Sequence, residues 1–256
     1  GGETAFTIEA PNLKFGLGVL SELGEESQSL GITRAALFVD PHVEKIDHFS
    51  KAILSLKNAG IDFEIYNGIE IEPTDRSFKE ASKFAQNGKF DGYISIGGGS
   101  TMDTAKAANL YATYPAELFA YVNAPVGDAR QIPGSLMPHI ACRTTFGTAS
   151  ETTGIAIFDI LDQDMKTGIA HRALRPTLGL IDPEGLTTLP AAVIASNGFD
   201  VFSHAIESYT AKPFTHRPAP EKPSQRPLLQ GANPYSDMAC LEAIKIVGEN
   251  IEKAVN

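Results

Sequence analysis

The sequence predicts an α/β protein, with a mostly parallel sheet in its first two-thirds and a helical part after it. Three observations predict this. Short apolar runs alternate with amphipathic stretches as far as Asp182, a pattern that implies βαβ units with helices on both sheet faces. After Asp182-Pro183 the alternation gives way to long segments with helical spacing. Hydrophobic residues make up 43% of the 256, and charged residues 20%, so a sizeable core can form.

Taken in order, AALFVD (35–40) is too short for a helix, ends at Pro41 and predicts a buried strand. Residues 42–59 carry Val43, Ile46, Phe49, Ile53 and Leu56 at helical spacing, with Gly60 as the stop. A second strand is expected over 63–66. A helix over 76–87 follows, with Phe78, Ala81, Phe84 and Ala85 on one face. The run at 92–96 predicts a third strand, broken by Gly97-Gly98-Gly99, and 101–112 predicts an Ala-rich helix. Residues 114–138 hold four prolines and read as an excursion from the sheet. Further short strands are expected at 140–143, 155–158 and 177–181. Pro190 is placed for a helix N-terminus over 191–211. Residues 212–234 hold six prolines and predict an irregular loop, and 236–253 predict a last amphipathic helix. The domain boundary is expected after residue 182, giving domains 1–182 and 183–256.

Lys+Arg 21 against Asp+Glu 31 gives a net charge of −10. That disfavours a general phosphate-backbone binder, so no nucleic-acid partner is expected. Cys142 and Cys240 are too few for a disulfide framework or a four-cysteine zinc site. No run reaches the ~18 apolar residues of a membrane span. The first residues, GGETAF, lack the blocks of a signal peptide. A soluble, intracellular protein in the cytoplasm is expected, or in the mitochondrial matrix for a eukaryotic source.

Four segments carry candidate chemistry. IGGGS (96–100) joins a strand to a helix, where backbone amides and the helix N-terminus can approach an anion such as a pyrophosphate. The alternative is a tight turn capped by Ser100 or Thr101. Asp40 ends a strand, at the edge where ligands collect in open α/β sheets. There it can accept adenine-ribose hydroxyls and favour NAD over NADP, or simply close an Asp-Pro turn. TTFGTASE (144–151) is dense in hydroxyls and amides, suited to a polar site or to local caps. Asp200 and His204, four apart on one helical face, can share a divalent metal or form a plain hydrogen bond. His42, His48, His139, His171 and His216 have no ligand spacing to one another and are expected to be structural or solvated.

Together, GGGSTMDTAKAANL (97–110), TTFGTASETTG (144–154), RPTLGLIDPEGLTTLP (175–190) and GFDVFSHAIESYTA (198–211) resemble the iron-containing (group III) alcohol dehydrogenase family. EPTD (72–75), SETTGIAIFD (150–159) and the Pro-rich loop are similar to its hydroxyacid-oxoacid transhydrogenase branch. The resemblance implies a Rossmann-like N-terminal domain and an all-helical C-terminal domain of the kind shared with dehydroquinate synthase. It implies an NAD-dependent oxidoreductase acting on an alcohol or hydroxy acid, such as 4-hydroxybutyrate with 2-oxoglutarate, with Fe²⁺ or Zn²⁺ as Lewis acid. A cyclase-type or non-redox relative, or an inactive cofactor-binding fragment, is the alternative. Carried over by position, Asp40 sits by the adenine ribose, and Gly98, Gly99, Ser100 and Asp103 by the pyrophosphate. Thr144, Thr145 and Thr148 lie on the nicotinamide side, Lys166 lies near its ribose, and Asp200 and His204 ligate the metal. The family takes two more ligands from histidines beyond Asn256, so the helical part is expected to be incomplete. Homo-oligomers are implied. Where the family has small or rigid residues, this chain has Arg143, Phe146 and Ala149. Ala149 restricts the backbone if that position needs a positive φ. Within the Pro-rich loop, Arg217, Lys222 and Arg226 are candidates for a cation facing an acidic substrate.

Overall fold

A computed structural model describes all 256 residues. The chain forms two compact units. One comprises Pro11–Thr145 and Ala149–Thr187, and the other Gly1–Ala10, Phe146–Thr148 and Thr188–Asn256.

In the first unit the order is β1 (Leu13–Phe15), α1 (Leu23–Ser29), β2 (Arg34–Val39), α2 (Asp47–Asn58), β3 (Asp62–Tyr66) and α3 (Asp75–Gly88). Then come β4 (Gly92–Gly97), α4 (Gly99–Thr113), β5 (His139–Arg143), β6 (Ile155–Ile160), β7 (Met165–Ala170) and β8 (Leu178–Ile181). Six strands make one sheet in the order β1-β8-β5-β4-β2-β3. Every pairing in it is parallel. Burial on both faces explains the unbroken apolar runs of β2 and β4, whose residues Ala35–Val39 and Gly92–Gly97 are buried except for none. Thr74 and Ser77 form a reciprocal capping box that starts α3. In α4, residues 101–111 are all buried, which is why the helix is rich in alanine and lacks a polar stripe. The three clusters of the hydrophobic core all lie in this unit.

Three features of this unit differ from the sequence reading. The expected strand at 155–158 lies outside the sheet, in a two-stranded antiparallel ribbon with β7. β1 and β7 carry no strong apolar run and went unread, as did α1. The helix expected from 42 divides into a three-residue 3₁₀ turn, Val43–Lys45, and α2.

The second unit is built on α5 (Ala191–Thr210) and α6 (Pro234–Val255), which pack together. Asn233 caps α6, accepting from Tyr235 N and Ser236 N, with Pro234 at the first helical position. Residues 212–233 hold only two short 3₁₀ turns, Phe214–His216 and Pro223–Gln225, in keeping with their prolines. The first residues join this unit: Glu3 N donates to Arg217 O at 2.8 Å, and the Phe6 and Phe214 rings meet at 4.9 Å. A single cut after residue 182 does not describe this arrangement, because Gly1–Ala10 and Phe146–Thr148 belong with the helices. No helix is long and apolar enough to cross a membrane.

Candidate functional site

In the α/β unit, the carboxyl ends of β2, β4, β5 and β8 share one edge of the sheet, since all run parallel. Asp40, Gly98, Thr144 and Asp182 follow those strands directly. This is the edge where open parallel sheets bind ligands.

The centre of the edge is the turn from β4 into α4. Gly97 has no room for a side chain, because a Cβ would lie 2.3 Å from Thr101 Oγ1. At Gly98 a Cβ would lie 3.0 Å from Thr145 Oγ1. The α4 N-cap is Gly98, which makes no side-chain capping bond, and no acidic residue stands in the first turn. A 15-residue helix thus presents its first amides and the positive end of its dipole beside two threonines, a surface that suits an anion. Thr144 is buried and its N–H donates to Gly97 O at 2.9 Å. Ser100 Oγ accepts from Glu72 N at 3.3 Å.

Asp40 closes the turn after β2. Its Oδ1 accepts from His42 N at 2.7 Å and Val43 N at 3.4 Å. The turn role is therefore real, and it engages Oδ1. Lys166, on β7, pairs with Glu72 and lies 3.0 Å from Asp159 Oδ1. The hydrogen bond to Glu72 chiefly raises its pKa.

Asp103 is placed differently from its neighbours in the motif. Its Oδ1 accepts from Ser150 Oγ at 2.5 Å and Lys106 Nζ at 3.3 Å, and its Oδ2 accepts from Ile157 N at 3.0 Å. Lys106 is wholly buried and also reaches Ser150 Oγ at 2.6 Å and Ile155 O at 2.8 Å. Burial pushes the Lys106 ammonium pKa down, against the opposing charge of Asp103. This polar nexus ties α4 to the β6 ribbon and steadies the segment that leads to the glycine turn. Sequence reasoning missed Lys106, while Ser150 lay within the hydroxyl-rich segment 144–151 that it singled out. A lysine set among alanines in an otherwise buried helix was the available signal.

A further group missed by the sequence reading is His48, Asp182 and Glu184, whose ligand atoms lie within 4.8 Å of one another. The Asp182 carboxylate accepts from the Gly18, Leu20 and Glu184 amides at 3.1 Å, and Lys51 pairs with Glu184 at 2.6 Å. The group therefore already has cap and ion-pair roles.

In the helical unit, Asp200 and His204 occupy one face of α5, with His204 Nε2 3.6 Å from Asp200 Oδ1. His204 Nδ1 lies 3.1 Å from Gly147 O. A carbonyl only accepts, so Nδ1 carries a proton there, and Nε2 is the ring nitrogen that faces Asp200. A carbonyl on Nδ1 fixes the ring, the kind of outer contact that orients a metal-ligating imidazole. Gly147 has φ +110, and a Cβ there would lie 2.6 Å from Asp200 Oδ2. The glycine thus permits the close approach that places both groups. Thr148 belongs to this unit, whereas Thr144 and Thr145 belong to the sheet.

The family model for iron-containing alcohol dehydrogenase matches residues 10–183. The chain belongs to the iron-containing alcohol dehydrogenase family. Among curated relatives, the mitochondrial hydroxyacid-oxoacid transhydrogenase of Mus musculus is 47% identical over 253 residues, covering 98% of this chain and 54% of its own. That of Homo sapiens is 46% identical with the same coverage. The chain spans about half the length of the curated relatives it matches. Among solved structures, a 1,3-propanediol oxidoreductase superposes with a TM-score of 0.84 at 28% identity, covering 98% of this chain and 60% of that one. An alcohol dehydrogenase from Oenococcus oeni gives 0.84 at 27%, with the same coverage. The α/β fold expected for this family is the fold observed.

Proposed function

We propose that this protein is an NAD-dependent, metal-assisted oxidoreductase that moves hydride between a hydroxy acid and an oxo acid, as the names of its curated relatives describe. The observation that carries the reading is the arrangement on α5: Gly147 O holds Nδ1–H of His204, and Nε2 faces the Asp200 carboxylate at 3.6 Å on the same helical face. A carboxylate and an imidazole suit Fe²⁺ or Zn²⁺ equally. A divalent ion held there would polarise the alcohol or carbonyl oxygen as a Lewis acid. In this reading the α/β unit binds the dinucleotide and the helical unit holds the metal.

NAD would accept and return the hydride, which is the cofactor's own chemistry. The residues of the sheet edge bind and orient it. Gly98, Gly99 and Ser100 offer the α4 amides to its pyrophosphate, and Asp40 Oδ2 accepts a ribose hydroxyl and disfavours a 2′-phosphate. Thr144, Thr145 and Thr148 line the nicotinamide side, Lys166 faces its ribose, and Asp103 acts from behind by holding the α4 turn in place. The names of the relatives support the mitochondrial matrix for a eukaryotic source, and the family resemblance supports a homo-oligomer.

The test is exchange between 4-hydroxybutyrate and 2-oxoglutarate with no NADH added, together with metal analysis. The intact protein is expected to form succinic semialdehyde and 2-hydroxyglutarate in step. D200N and H204N are each expected to lose the metal and turnover by about 100-fold or more, the scale on which a polarising ion acts. Full turnover and unchanged metal content in both variants would overturn the assignment.

A further inference from the structure

The helical unit holds a cavity built by the Pro-rich loop and the first residues of the chain. It encloses about 270 Å³. Its charged lining residues are Arg217, Arg226 and Glu3, so the lining carries net positive charge on a chain of net charge −10. Arg226 and Glu3 form a two-pronged pair, Nε to Oε2 at 2.9 Å and Nη2 to Oε1 at 3.1 Å. That pairing, with the Ala5 amide, lowers the Glu3 carboxyl to a pKa of about 2. Glu3 is thus ionised and engaged by Arg226, and it forms no ion pair with Arg217.

Arg217 makes no ion pair. Its only side-chain hydrogen bond runs from Nη1 to Leu229 O at 3.3 Å, and its Nε is buried without a partner. Gly231, at φ +96, makes room for that guanidinium, since a Cβ there would lie 2.9 Å from Nε. Gln230 also lines the cavity and uses its Oε1 to accept from Thr7 N at 2.8 Å, which leaves its amide NH₂ as a donor. Pro218, Pro220 and Pro227 supply rigid apolar walls. A guanidinium that lines a pocket without a carboxylate partner has N–H donors left for one that a ligand brings. Donors at one end and aliphatic walls around them match a short-chain carboxylate.

We propose that this cavity binds the carboxylate of a short aliphatic acid through Arg217, with Gln230 as second donor. The identity of the acid rests on the hydroxy-acid reading above: it is the substrate itself or a free acid of the same class. The loop leaves α5 immediately after the helix that carries Asp200 and His204, so the pocket and that pair belong to one unit.

The experiment is calorimetric titration of the intact protein with butyrate, with 1-butanol as the uncharged control. Wild type is expected to bind butyrate and not the alcohol. R217M is expected to bind it roughly 10- to 100-fold more weakly, the scale of a charge-assisted hydrogen bond. A219F, which fills the cavity from an exposed position and removes no side-chain hydrogen bond, is expected to block butyrate even if R217M folds poorly. Turnover of 4-hydroxybutyrate against 1-butanol separates the two sources. Selective loss with the acid in R217M identifies a substrate subsite, and loss of butyrate binding with unchanged turnover identifies a site for a free acid. No butyrate binding by wild type, or binding by both R217M and A219F as tight as by wild type, overturns the proposal. Butyrate binding in a protein that turns over neither substrate overturns the oxidoreductase reading and leaves this site standing.

Discussion

Ala149 sits where the backbone asks for a glycine. Its φ is +49 and its ψ +33, the left-handed region, and it starts the short turn that carries Ser150 and Glu151. An L-residue with a Cβ meets its own carbonyl there, at a cost of about 1–2 kcal/mol. Replacing it by glycine removes that strain but adds freedom to the unfolded chain, worth about 0.4–1 kcal/mol in the other direction. A149G is therefore expected to stabilise the protein by about 1 kcal/mol and to raise the melting temperature by about 2–4 °C; an unchanged or lower melting temperature would contradict the strain. This residue was legible in the sequence, as a departure from a family pattern whose glycine implied a positive φ. Asp200 and His204 were legible too, because spacing alone puts them on one helical face. Gly147 was not. Its importance comes from a carbonyl aimed at an imidazole across 57 residues of sequence, and no local pattern encodes such an approach.

At the scale of elements, α4 is held by charge as well as by packing. Its Lys106 ammonium is buried among Asp103, Ser150, Thr153 and Ile155 O. Removing one partner of a buried pair leaves the other uncompensated, which costs about 3–5 kcal/mol. K106M is expected to lose that much in urea unfolding, and D103N/K106M to regain part of it, because the stranded carboxylate is gone. If the double variant is no more stable than K106M, the pair is not the source of the loss. The contrast between elements also explains what the sequence reveals. β2, β4 and α4 are legible because burial of nearly the whole element leaves a continuous apolar signature. β1 is three residues long with two exposed, and β7 alternates weakly; their pairing comes from neighbours distant in sequence. β6 reads as a strand in any environment, and only its partner decides that it forms a ribbon outside the sheet.

At the scale of the molecule, the two units differ in how they are stabilised. Every core cluster lies in the α/β unit, whereas the helices leave Phe199, Met238, Leu241 and Ile246 at least half exposed. The stability of the α/β unit should also depend on pH through His139 in the middle of the sheet. His139 is 3% exposed and its Nε2 lies 2.9 Å from Ser95 Oγ. Burial, and then the charge of Lys106, lower its pKa to about 3 from the usual 6.5. The unfolded chain therefore binds a proton between pH 6.5 and about 3 that the folded chain refuses. Stability contributed by the neutral imidazole is present in full above pH 6.5 and is lost as pH falls through that window. The loss is at most about 1.4 kcal/mol per pH unit for a single group. H139Q keeps a polar partner for Ser95 and removes the titration. Urea midpoints at pH 7.5, 6.5, 5.5 and 4.5 should fall more steeply in wild type than in H139Q, so that the gap between them narrows as the solution is acidified. Parallel profiles would mean that the imidazole already takes up its proton in the folded sheet.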